Sequence, residues 1–194
     1  MIINYRQAVP MVREVKFIEY IESDGNQYID TGFKPNNNTR VIADIESNIT
    51  TISGCFGGRD SQNKSSFSLW LMPTTIFRSD FNSSQNDINV SSVLNRFVID
   101  KNKNVCKIGT ASTKNKSSVF QTSVNLFLMT INTNGKPEDR KFNGKLYSCQ
   151  IYDNDNLIRD YVPALDENKT PCLYDKISEE CIYNSGSGSF KIPS

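Results

Sequence analysis

Strand-type residues recur along this chain in short runs, each closed by Asn, Gly, Ser or Pro, and that rhythm limits the fold more than any other feature. The runs fall at residues 15–21, 27–31, 39–46, 52–56, 67–72, 75–78, 96–100, 105–109, 125–131, 144–152, 157–161, 172–174, 181–183 and 190–192. Few segments carry a helical stripe. Asn and Ser are each roughly a tenth of the residues, a surplus that suits turns. Low apolar content can signal disorder, but 10% of these residues are aromatic and the 37% that are hydrophobic sit in the evenly spaced runs. The pattern predicts an all-β chain, a two-sheet antiparallel β-sandwich of the jelly-roll kind. A short N-terminal arm (1–14) precedes the domain (15–194).

Side-chain alternation gives local detail. In 144–152, Leu146, Ser148, Gln150 and Tyr152 are expected on one face, and Lys145, Tyr147, Cys149 and Ile151 on the other. The run 125–131 is apolar on both faces and reads as a central strand covered on both sides. Residues 96–109 read as a hairpin with its tip at residues 101–104. The tract 185–189 reads as a turn before a last strand.

Charge and composition exclude several chemistries. Lys and Arg number 22 against 21 Asp and Glu, so the basic excess of a nucleic-acid binder is missing. The chain has no His, which removes His-dependent triads and His-ligated zinc. No run reaches the roughly 18–20 apolar residues of a membrane span, and the opening residues lack a secretory pattern. Asn-x-Ser/Thr triplets at Asn37, Asn48, Asn63, Asn82, Asn89, Asn115 and Asn168 then read as products of an Asn- and Ser-rich composition. The five cysteines (Cys55, Cys106, Cys149, Cys172 and Cys181) show no metal spacing and are expected as buried thiols. Cys172 and Cys181 flank a hairpin as cross-strand neighbours, for which a disulfide is the alternative.

Three segments resemble a known family: residues 19–33 (EYIESDGNQYIDTGF), residues 56–59 (FGGR) with 78–81 (RSDF), and residues 142–153 (FNGKLYSCQIYD) with 157–164, 173–175 and 183–190. Together they resemble the laminin-G-like, concanavalin A-like lectin domains of phage and prophage structural proteins, over residues 15–192. The resemblance implies two curved sheets and a non-enzymatic module on a virion, made in the bacterial cytoplasm. It implies adhesion to host-surface glycans, or a structural decoration or connector role toward other virion proteins, in a homo-oligomer or larger assembly. For the second role the apolar arm residues Ile2, Ile3 and Tyr5 are the docking candidates.

Aromatic and polar side chains coincide between residues 59 and 80. If Phe67, Leu69 and Leu71 face the core, then Ser68, Trp70 and Met72 face outward, and Trp70 is the only tryptophan. Arg59, Asp60, Arg78 and Asp80 join it as ligand-binding candidates if their strands pair. No cofactor is expected. Calcium has only weak loop candidates, Asp87 and the 153–155 turn with Asp153, Asn154 and Asp155. A glycosidase on this type of fold needs two carboxylates flanking the bond. Asp44 and Glu46 share a face, but Ile42 stands where the nucleophile would be required.

Overall fold

The computed structural model describes residues 14–62 and 64–194. The arm candidates Ile2, Ile3 and Tyr5 lie outside the described residues. The strands are β1 (Lys16–Phe17), β2 (Ile21–Asp24), β3 (Ile29–Asp30), β4 (Thr39–Ser47), β5 (Ser53–Ser61), β6 (Lys64–Met72), β7 (Ile76–Phe81), β8 (Ser84–Asn89) and β9 (Arg96–Asn102). They continue as β10 (Val105–Ile108), β11 (Ala111–Lys114), β12 (Phe127–Leu128), β13 (Ile131–Thr133), β14 (Lys136–Pro137), β15 (Asn143–Asp153), β16 (Asn156–Leu165), β17 (Pro171–Asp175) and β18 (Glu180–Ile182). One sheet runs β11-β10-β9-β4-β15-β16-β17-β18, with β1 on β16 and β2 on β15. The other runs β14-β13-β5-β6-β7-β8, with β12 and β3 alongside. Their apolar faces pack on each other in a β-sandwich. No helix among the described residues is long and apolar enough to cross a membrane.

Alternation builds the core. In β4, Val41, Ala43 and Ile45 are buried, while Arg40, Ile42, Asp44 and Glu46 point outward. In β6, Phe67, Leu69 and Leu71 join the same interior, with Phe77, Phe81 and Ile88 from the neighbouring strands. All five cysteines are free. Four are buried and Cys181 is half-buried; it lies opposite Tyr174 on the paired strand, with its thiol a neighbour of the Cys172 thiol.

Four local expectations need correction. In β15 the pairing with β4 shifts between Leu146 and Ser148, and this bulge puts Leu146 on the core side with Cys149 and Ile151. Strict alternation had placed Leu146 opposite them. The run 125–131 is buried as its composition requires, but it is not one strand. Met129 adopts φ 65°, so β12 pairs antiparallel with β5 and β13 then pairs parallel with the same strand. Residues 190–192 form only a bridge between Lys191 and Glu22, and Phe190 plugs the core. The polar strands β8 and β11 carry few apolar residues, so no run announced them.

The fourth correction concerns Lys101, placed by its sequence at an exposed hairpin tip. The turn falls at Lys103 (φ 54°) and Asn104, and Lys101 extends into the core with no solvent exposure. Its Nζ donates to Ser79 Oγ at 2.7 Å and lies 4.6 Å from the Phe67 ring centroid. Ser79 Oγ donates in turn to Asn115 Oδ1 at 3.1 Å. Asn115 Nδ2 donates to the carbonyls of Ser79 and Ser84, each at 2.9 Å. Burial lowers the Lys101 pKa to about 8, and the fields of Cys106 and Asp80 offset only part of that effect.

A base with a lowered folded pKa binds fewer protons folded than unfolded. Its penalty on folding therefore fades as pH rises from about 8 to the unfolded value of 10.5. Lys101→Met, measured by urea unfolding, should be the more stable protein at pH 7 by about 1–3 kcal/mol. That advantage should shrink between pH 8 and 10.5. A constant difference across this range would contradict a buried titrating amine.

Candidate binding cleft

The outer face of the β5–β8 sheet is built by the residues that the core leaves over. In β6 these are Ser68, Trp70 and Met72. Register sets Arg78 of β7 opposite Trp70, and Asp80 opposite Ser68. One strand further, Asp87 lies opposite Arg78 and Gln85 opposite Asp80. On β5, Gly54 and Gly57 face Trp70 and Ser68. Gly57 has φ 150°, and a Cβ there would come within 2.5 Å of the Ser68 Cβ, so only glycine lets β5 approach this closely.

Arg59, Trp70, Arg78 and Asp80 come together in an open cleft of about 540 Å³. Ile52, Gln62, Met72, Gln85, Glu138, Asp139 and Arg140 complete its lining. A second, more open depression of about 670 Å³ adjoins it, sharing Ile52, Asp139 and Arg140. Asp60 does not take part. Its carboxylate turns away and accepts from the backbone N–H and Oγ of Ser123, both at 2.7 Å.

Trp70 lies on the outer face, as alternation requires, yet it is only 8% exposed. The Arg59 guanidinium covers it, with Cζ 4.8 Å from the ring centroid. Arg59 is itself fixed, donating from Nε to Thr133 Oγ1 and from Nη2 to Glu138 Oε1, both at 2.8 Å. The indole is therefore a wall behind a guanidinium, and its face is not open for stacking. Its Nε1–H points at Asp80 Oδ2 and Ser68 Oγ, each at 3.2 Å.

Asp80 is the least satisfied group of the cleft. It is 1% exposed, and Oδ2 accepts from Ser68 Oγ at 3.0 Å, but buried Oδ1 has no hydrogen-bond partner. Burial raises its pKa, and the Ser68 hydrogen bond with the fields of Lys101 and Arg59 only partly offsets this. Glu138 shows the opposite balance. Burial opposes its ionisation, but hydrogen bonds from Thr133 and Arg59 outweigh that and lower its pKa. Arg78 forks onto Asp87 through Nε at 2.7 Å and Nη2 at 3.1 Å.

The other candidates stand apart. Asp44 takes a fork from Arg96 at 2.9 and 2.8 Å on the outer face of the opposite sheet. Glu46 accepts from Tyr147 Oη at 2.6 Å and Lys145 Nζ at 3.1 Å. The Tyr147 hydrogen bond is the largest cause holding its pKa low, the reverse of what a general acid needs. Asp155 pairs with Lys103 at 3.3 Å, and Asp153 accepts from Asn36 Nδ2 at 3.0 Å. Among the described residues, no group of three or more His, Cys, Asp or Glu is placed to hold a metal ion.

Sequence reasoning missed Glu138, Thr133 and Arg140. They arrive through the parallel pairing of β13 with β5, which no local pattern encodes. Ser68 could have been added from its position two before Trp70. No protein-family model matches this chain, and no curated protein sequence matches it.

Trp70 gives the cleft a native reporter, being the only tryptophan. Arg59→Ala should shift its fluorescence maximum to longer wavelength by uncovering the ring. In the parent protein, acidification should perturb the emission with a midpoint above 3.8, the ordinary Asp value. Asp80→Asn should abolish that transition. Because the folded pKa is raised, Asp80 favours folding below its unfolded value and loses that contribution as pH rises. Asp80→Asn should accordingly gain stability relative to the parent through this rise. An unchanged titration in Asp80→Asn would assign the signal elsewhere.

Proposed function

We propose that this chain is a non-enzymatic, virion-associated binding module of a phage or prophage, whose cleft engages host-surface glycans. The observation that carries the reading is the convergence of Arg59, Trp70, Arg78 and Asp80 in one open cleft on a rigid sheet. Binding sites for small polar ligands are concave and present a few fixed, directional polar groups. Here three guanidiniums, two amides and three carboxylates surround an indole. Arg59 pairs with Glu138 and Arg78 with Asp87, Arg140 and Asp139 add one charge of each sign, and the chain as a whole carries +1. Such a surface suits an uncharged partner better than nucleic acid. The particle setting rests on the resemblance of residues 15–192, which also suggests neighbouring virion subunits and a symmetric assembly.

Purified protein should bind a subset of a glycan array and intact bacterial cells. Arg78→Ala should reduce that binding at least ten-fold with its melting temperature within about 2 °C of the parent, since Arg78 is a partly exposed surface residue. Absence of binding to every glycan and to cells would overturn the reading.

A further inference from the structure

We propose that the cleft selects an uncharged vicinal diol, with Asp80 Oδ1 as the acceptor that one hydroxyl of the diol must satisfy. The inference deepens the glycan reading and rests on it. Its starting point is the orphaned Oδ1, a buried carboxylate oxygen with no hydrogen-bond partner in a residue that lines the cleft. A buried acceptor without a donor is costly, and a ligand that supplies one recovers that cost on binding. The ligand must therefore carry a donor.

The surroundings decide which donor. An ammonium would approach Asp80 through the fields of Arg59 and Arg78, which both act on this carboxyl. A ligand carboxylate would face Asp80 together with Glu138 and Asp139, while Arg59 is held by Thr133 and Glu138 and Arg78 by Asp87, so of the lining guanidiniums only Arg140 is left to receive it. A neutral hydroxyl meets neither objection. It also accepts, and acceptors are what the arginines have room for. Arg59 commits Nε and Nη2, and Arg78 commits Nε and Nη2, so Nη1 of each lies outside its fork. Two hydroxyls on adjacent carbons can donate to the carboxylate and accept from the guanidiniums at once. The covered indole adds a second constraint. With Arg59 over its face, the sugar enters edge-on by its hydroxyls and does not lie flat on the ring. Gln85, exposed and opposite Asp80, lines the same cleft and can donate or accept toward the second hydroxyl.

Saturation-transfer NMR titrations with neutral methyl hexosides, their mono-O-methyl ethers, glucuronate and glucosamine test this. The neutral hexosides should bind best, and methylation of one hydroxyl of the recognised pair should weaken binding at least ten-fold. Asp80→Asn should cause a similar loss. Arg78→Met, at a partly exposed position, serves as a second variant should Asp80→Asn misfold, and should also lose at least ten-fold. Preferred binding of glucuronate or glucosamine, or unchanged affinity in the variants or with the methyl ethers, would overturn the diol assignment and leave the glycan reading standing. Failure of the parent protein to bind any saccharide, here and on the array, would remove both.

Discussion

Two sheets share one interior, and each strand can give that interior only every second side chain. The rest of the molecule depends on this constraint. Phe67, Leu69 and Leu71 claim the inner face of β6, so Ser68, Trp70 and Met72 have no place but the outer one. The cleft is thus a by-product of core packing, and its floor is as fixed as the core beneath it. Where a polar residue does fall on the inner side, it must be satisfied from within. Lys101, Ser79 and Asn115 form such a chain, ending on backbone carbonyls of β7 and β8.

The cleft shows how a surface can be charged in composition and nearly neutral in effect. Arg78 spends two nitrogens on Asp87, and Arg59 spends one on Glu138 and one on Thr133, which fixes both planes and leaves one edge of each outward. Arg59 also seals the indole, so the largest aromatic surface on this face is withdrawn from solvent. Asp80 sits behind them with one oxygen satisfied and one not. Its incompleteness gives the site a direction, because the remaining need is for a donor.

The architecture was legible because period-two patterning is local. β4, β9, β10 and β15 were visible within a residue or two of their ends, and the outward face of β6 followed from its inward one. What could not be read is set by events outside any short window. The bulge at residues 146–148 reverses the facing of Leu146, and a bulge is a feature of pairing between strands. Met129 turns a continuous apolar run into two strands on either side of a backbone reversal. Lys101 looked like turn chemistry because lysine is rarely buried, yet its register on β9 points it inward. In the site, Trp70, Arg78 and Asp80 follow from a single hairpin, whereas Glu138 and Arg140 depend on the distant β13–β5 pairing. Asp60 was misplaced for a simpler reason: it neighbours Arg59 on a strand and so points the other way.

The position of β4 has a consequence for how the chain is made. Its two neighbours in the sheet are β9 and β15, and the pair formed by Glu46 and Lys145 spans 99 residues. During synthesis β4 emerges early and gains β9 on one side, but its other edge waits until residues 143–153 leave the ribosome. Contacts this distant in sequence form slowly. Throughout that interval a long, partly apolar strand offers its backbone to any passing chain. A polypeptide halted before residue 143 is therefore a half-sheet with a permanently open edge, prone to self-association, so the arrival of β15 decides whether β4 stays soluble.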